Sequence, residues 1–198
     1  MFGRFGKKPQ APEGRVPPGQ VLTQRFPVLT YGPTPQISTQ EFRLRIWGQV
    51  NHPQELDWAA LMALPQSQQI ADFHCVTRWS KLDVDWSGVR VIDLLALVQP
   101  TPQARAVLLH CYGGYTTNLT LADLDQPPNL LAHTLEGQPL PRDHGGPLRL
   151  VVPHLYAWKS AKWLRGLEFL DQEELGFWEV NGYHRRGDPW REERFERD

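Results

Sequence analysis

Residues 73–88, FHCVTRWSKLDVDWSG, set one cysteine among a histidine, an arginine and two tryptophans, and the chain reads outward from Cys75. A thiolate is a soft donor, so a cysteine beside cationic side chains suits a transition metal. The same residue in wholly apolar surroundings is an inert packing group. His74 and Arg78 offer the cationic setting. The preceding QIADFHC (69–75) alternates apolar and polar side chains, the period of a β-strand, and carries Cys75 out at its end, where a rigid element aims it.

Upstream, FRLRIWGQV (42–50) puts Phe42, Leu44 and Ile46 on one face and predicts a half-buried strand ending at Gly48. ELDWAALMALPQ (55–66) predicts a short helix capped by Asp57 and stopped by Pro65. RFPVLTYGPTP (25–35) holds three prolines, which forbid regular ladder pairing and leave an extended strip over the body. Downstream, VIDLLALVQ (91–99) has helical spacing, and ARAVLLHCY (104–112) is a buried strand bounded by glycines 113 and 114. Short strands separated by Gly, Pro, Asn and Asp turns follow. The pattern predicts an α+β fold, mixed and mainly β with short helices.

A second informative block is LEGQPLPRDHGGPLRLVVPHLYAWKSAKWLRGLEF, 135–169. Arg149 lies in an otherwise apolar strand, PLRLVVP, so its charge needs a partner if it faces inward; a bound phosphate is one such partner. Lys159, Ser160 and Lys162 follow closely. Fixed Arg and Lys with hydroxyl and amide donors suit an anionic ligand, while Lys159, Lys162 and Arg165 read equally as a solvated basic face.

FHCVTRWS followed by DWSGV, together with the Gly-x-Pro-Leu-Pro-x-x-His-Gly segment and its Pro-x-Arg and Val-Pro continuation, resembles the sulfite oxidase and YedY/MsrP superfamily of molybdopterin oxidoreductases. The resemblance runs from about residue 25 to 190. It implies a sulfite oxidase-type molybdopterin-binding domain with a molybdenum–pyranopterin cofactor, Cys75 being the metal's protein ligand. It also implies that His144, Arg149, Lys159, Ser160, Ala161 and Lys162 cradle the pterin and its phosphate, with Leu29, Thr30, Tyr31 and His74 as further contacts. Cys111 falls where one branch has a cofactor-contacting threonine. His133 stands in the place of an active-site tyrosine, which puts sulfite itself in doubt as substrate, and Arg78 is the candidate anion-attracting residue at the metal. The implied activity is transfer of an oxygen atom to or from a small substrate, a sulfite-like oxyanion or a sulfoxide or N-oxide. A separate electron-transfer partner follows from the lack of residues for a haem domain. A non-catalytic pterin- or anion-binding protein is the competing class.

Net charge is −1 over 198 residues, so any pull toward nucleic acid or anionic membrane must be local. No run of about 18 apolar residues could span a bilayer, and residues 1–20 hold no apolar run of signal-peptide length, so a cytoplasmic setting is expected. Two cysteines 36 positions apart make no disulfide framework, and without Cys-x-x-Cys spacing no zinc site. Residues 1–20, rich in Pro, Gly and basic residues, predict a mobile or surface-draped arm. Residues 21–198 then form one domain whose aromatic, charged C-terminus wraps back onto it.

Overall fold

The computed structural model describes residues 13–197. In chain order its elements are β1 (Val21–Leu22), β2 (Leu44–Gly48), β3 (Gln54–Leu56), α1 (Trp58–Ala63), β4 (Gln66–Cys75), β5 (Trp79–Arg90), α2 (Val91–Val98) and β6 (Ala106–Cys111). They continue as β7 (Thr116–Thr120), α3 (Leu121–Leu124), β8 (Leu130–Leu135), β9 (Gln138–Pro139), β10 (Arg149–Val151), β11 (Leu164–Leu170) and α4 (Phe177–Val180).

Two sheets form the body. One runs β3-β2-β11-β6-β7; the other runs β1-β5-β8-β10, with β4 added to β5 and β9 to β8. β5 is the hub of the second sheet, because its twelve residues pair with β1, β4 and β8 in turn. Gly88 is what lets β8 close on it: a Cβ there would stand 2.0 Å from the Leu131 carbonyl.

Alternation along β8 and β10 divides the interior. Leu131 and Leu150 join an aliphatic core with Leu44, Ile46, Leu94 and Leu167, between the sheets and α2. Their neighbours Leu130, Ala132 and Val151 face the other way, into an aromatic cluster with Phe73, Val84 and Trp86. The second sheet is therefore buried on both faces.

The expected elements at 42–50, 69–75, 91–99 and 104–112 are all present. The helix at 55–66 is shorter than its pattern: β3 takes its first residues, Asp57 Oδ1 accepts from the Ala60 N–H at 2.8 Å, and the helix ends before Pro65. Of the expected arm, residues 1–12 lie outside the described residues. Residues 13–20 lie against the second sheet, where Arg15 pairs with Asp72 and Asp83 and the Gln20 side-chain amide donates to the Cys75 carbonyl at 3.0 Å. The C-terminal segment packs through a Trp178–Tyr183 stack and a Tyr183–Phe195 bridge.

Candidate active site

Cys75 ends β4 on the same face as Phe73, so it opens onto the aromatic side of the second sheet. Arg149, on β10, faces that side too: its guanidinium lies 5.2 Å from the Phe73 ring centroid and 5.3 Å from that of Trp86. Between them lies a cavity of about 340 Å³, within the range of small-molecule and cofactor sites. The strip 25–35 forms one wall through Leu29, Thr30 and Tyr31; the 3-10 turn Ala157–Lys159 and the residues after it form another through Ser160, Ala161 and Lys162. Trp178 and Tyr183 reach in from the C-terminal segment.

The electrostatics are asymmetric. Arg149 is buried, and its nitrogens donate to the carbonyls of Leu150 (3.3 Å), His144 (2.9 Å) and Ser160 (2.8 Å). Among the described residues no carboxylate pairs with it, and burial pulls its pKa down to about 9. Lys162 donates to the Asp143 carbonyl at 2.8 Å and the Thr30 hydroxyl at 3.3 Å. Its pKa falls to about 8, first through burial and then through the neighbouring Arg149. Gly145 permits this crowding: a Cβ on it would meet Lys162 side-chain carbons at 3.0 Å and Arg149 Cβ at 3.1 Å. Two cations with no acid between them make an anion site. At the opposite end, burial pushes the Cys75 thiol pKa up, and the Thr77 hydroxyl donates to Sγ at 3.2 Å. His144, tilted against Phe26 at 4.6 Å, has its pKa lowered by burial.

Of the residues singled out in the sequence, Leu29, Thr30, Tyr31, Cys75, His144, Arg149, Ser160, Ala161 and Lys162 are brought together around this cavity. Five are not. His74 follows the strand's alternation away from Cys75, bonds the Ser80 hydroxyl at 2.8 Å and meets the Trp190 ring. Arg78 sits in the β4–β5 turn at φ +71°, exposed, with its guanidinium toward Gly19. Cys111 is embedded in the aliphatic core, its thiol pKa pushed up by burial. His133 is the extra residue of β8 at its register shift against Ser87 and Gly88, and its ring lies between Gln66 (2.8 Å), Thr134 (2.8 Å) and Trp58, none of which lines the cavity. Lys159 is fully buried against Glu179 at 2.6 Å.

Sequence reasoning missed several lining residues, among them Thr77, Trp79, Tyr115, Trp158, Trp178 and Tyr183. Thr77 and Trp79 stand in the Cys75 stretch itself, and the aromatic density of the C-terminus was the available signal for the last two.

A thiol, two unpaired cations and an aromatic-walled cavity on a two-sheet α+β body match a known class. Residues 31–178 correspond to the oxidoreductase molybdopterin binding domain, and the chain belongs to that family of oxidoreductases. It is 47% identical over 193 residues to the uncharacterized oxidoreductase YuiH of Bacillus subtilis (strain 168), covering 96% of this chain and 98% of that one. It is 30% identical over 170 residues to the putative protein-methionine-sulfoxide reductase subunit YedZ1 of Azospira oryzae (strain ATCC BAA-33 / DSM 13638 / PS), covering 84% of this chain and 64% of the relative. Identity is 29% over 162 residues to the protein-methionine-sulfoxide reductase catalytic subunit MsrP of Burkholderia mallei (strain ATCC 23344), covering 69% of this chain and 46% of the relative. The sulfane dehydrogenase SoxCD from Paracoccus pantotrophus shares the fold at a TM-score of 0.63 and 23% identity, over 70% of this chain and 40% of that one. No helix among the described residues is long and apolar enough to cross a membrane.

Proposed function

We propose that the chain is a molybdenum-dependent oxidoreductase that moves an oxygen atom to or from a small substrate, with Cys75 ligating the metal. Arg149 carries this reading. A buried guanidinium with only carbonyls and ring faces around it lacks the counter-anion that burial demands, and it opens onto the cavity that holds Cys75. The donor set fits a molybdenum–pyranopterin: a lone soft thiol for the metal, and hard cationic and hydroxyl donors for the phosphate.

When bound, the metal–pterin supplies two-electron redox and oxygen-atom chemistry. The chain's own residues do the rest. Cys75, whose pKa burial raises, would bind metal as the thiolate and give up its proton, and the Thr77 hydroxyl would donate to the charged sulfur. Arg149 and Lys162 would neutralise the phosphate, while the Ser160 and Ala161 segment and His144 shape its bed. Leu29, Thr30 and Tyr31 line the outer side, and aromatic side chains, Trp79, Trp158 and Trp178 among them, wall the rest. Both a sulfite-like oxyanion and a sulfoxide or N-oxide suit the chemistry; the aromatic mouth and the outward placement of Arg78 favour the less charged substrates. Electrons would pass to or from a separate protein. A cytoplasmic setting accords with the two free thiols.

Metal analysis of protein purified from a molybdate-supplied host tests the reading. Stoichiometric molybdenum in the natural chain and next to none in Cys75→Ala is the expected result. A Cys75→Ala variant that retains molybdenum would sink the assignment of the ligand.

A further inference from the structure

On the outer face of the five-stranded sheet lies a second depression, of about 310 Å³, which shares no lining residue with the cavity. Gly166 is its floor. A register shift in β11 between Leu164 and Gly166 leaves Arg165 as an extra residue, exposed beside that floor; such bulges re-aim a side chain. Gly166 neighbours Arg45 on β2 and His110 on β6. A Cβ on Gly166 would come within 2.7 Å of the Trp47 indole, so its absence lets Trp47 lie across β11 toward the His110 ring, 5.1 Å away.

Three exposed guanidiniums, of Arg43, Arg45 and Arg165, rim this floor. Among the described residues none of them has a carboxylate within ion-pair distance. Two acids stand nearby, Glu55 and Glu168. Glu55 faces Arg45 across β2 and β3, yet Arg45 lies over the Trp47 ring at 4.8 Å. Glu168 is held by His110 Nε2 at 2.9 Å. Arg43 is fixed at its backbone, where its N–H donates to the Tyr112 hydroxyl at 2.9 Å and that hydroxyl donates to its carbonyl at 3.2 Å, and its Nη1 donates to the carbonyls of Gln40 at 3.0 Å and Phe42 at 2.6 Å. In a chain whose net charge is −1, this is a local, built concentration of positive charge.

We propose that this depression binds a phosphoryl dianion, either the free ion or an ester on a molecule of mononucleotide size. Guanidinium forks match phosphate oxygens two at a time; Arg45 and Arg165 present two such forks with the charge of Arg43 beside them, which suits a dianion better than a single carboxylate. The volume lies at the lower end of small-ligand sites, which excludes nothing as large as a dinucleotide from reaching out of it but holds one phosphate with part of its carrier.

The test is isothermal titration of the full chain, at low ionic strength, with AMP and with inorganic phosphate as probes. Saturable binding is expected, weakened about tenfold or more in Arg45→Ala/Arg165→Ala, with melting temperature and molybdenum content unchanged. AMP binding tighter than inorganic phosphate places the dianion on an ester; equal affinity means the free ion, and either result upholds the proposal. Failure of both probes to bind overturns it, as does binding that survives the double variant or is lost in Arg149→Met instead. A polyglutamate peptide that binds where neither probe does would overturn it in favour of an acidic protein partner.

Discussion

Two buried cations, ten residues apart in sequence, are treated in opposite ways by the two regions that hold them. Lys159 spends its ammonium on Glu179 Oε1 at 2.6 Å and on the Asn118 carbonyl and side-chain oxygen, both at 2.9 Å. Glu179 Oε1 also accepts from Thr117 at 2.9 Å and Trp158 at 2.8 Å, so the charge pair is closed and ties α4 to the body. Arg149 has carbonyls and aromatic faces but no acid. A fold neutralises a buried charge that serves architecture; a buried charge left open is kept for something that arrives later.

The largest effect should come from breaking the closed pair. Glu179→Ala strands Lys159 in the interior, and removal of one partner of a buried pair costs about 3–5 kcal/mol. Denaturant unfolding of the cofactor-free chain should show that loss; a loss below about 1 kcal/mol would mean the pair is solvated and the contrast with Arg149 false.

Arg149→Met should do the reverse. The cofactor-free chain keeps its stability to within about 1 kcal/mol, since the loss of three bonds to carbonyls is offset by relief of an unpaired buried charge. Phosphate or pterin affinity should drop about a hundredfold, the worth of a charge-assisted bond in a buried site. Pterin and molybdenum content of the purified variant, set beside its unfolding curve, separates the two effects. A fully loaded Arg149→Met chain would remove the open cation from the site.

A smaller effect follows from pH. The folded-state pKa of Lys162, about 8, lies below its ordinary value, so in the cofactor-free chain the charged form is penalised at lower pH. That penalty is lifted as pH rises from about 8 toward the ordinary lysine value near 10.4, and stability should rise across the window. A bound anion reverses the preference. Its affinity should therefore weaken above pH about 8 by up to roughly tenfold per unit, with proton uptake on binding that Lys162→Met abolishes. Titration calorimetry in buffers of different ionisation heat reads the proton count; pH-independent binding would detach Lys162 from the anion.

The sequence made much of this readable, and its failures have a common cause. Cys75 and Arg149 were legible because each breaks its local pattern: a soft donor at a strand end, a charge in an apolar strand. Lys159 breaks its pattern too, but its partner is twenty residues on and comes beside it only when α4 folds back. β5 was obscured by the register shift against β4 at Ala71/Phe73, which spans Asp83 at φ +55° and interrupts the two-residue period. Trp178 and Tyr183 read in the sequence as part of a C-terminal wrap, and nothing in that pattern pointed to the cavity they line.

His133 sharpens the comparison at its weakest end. Aligned with an active-site tyrosine by resemblance, it ought to face substrate. Ala132 is the β8 partner of Arg149 and shares its aromatic side, whereas His133 is the extra residue at the register shift opposite Ser87 and Gly88, and its ring lies with Gln66, Thr134 and Trp58. There burial lowers the His133 pKa, and its two ring nitrogens are engaged by Thr134 and Gln66. His133→Ala should therefore leave cofactor content intact and change turnover less than about twofold, with a stability cost near 1 kcal/mol from the lost hydrogen bonds. A large loss of turnover in a fully loaded His133→Ala enzyme would show that the working cavity reaches around the edge of β8, and that the face holding Arg149 is only half of the site.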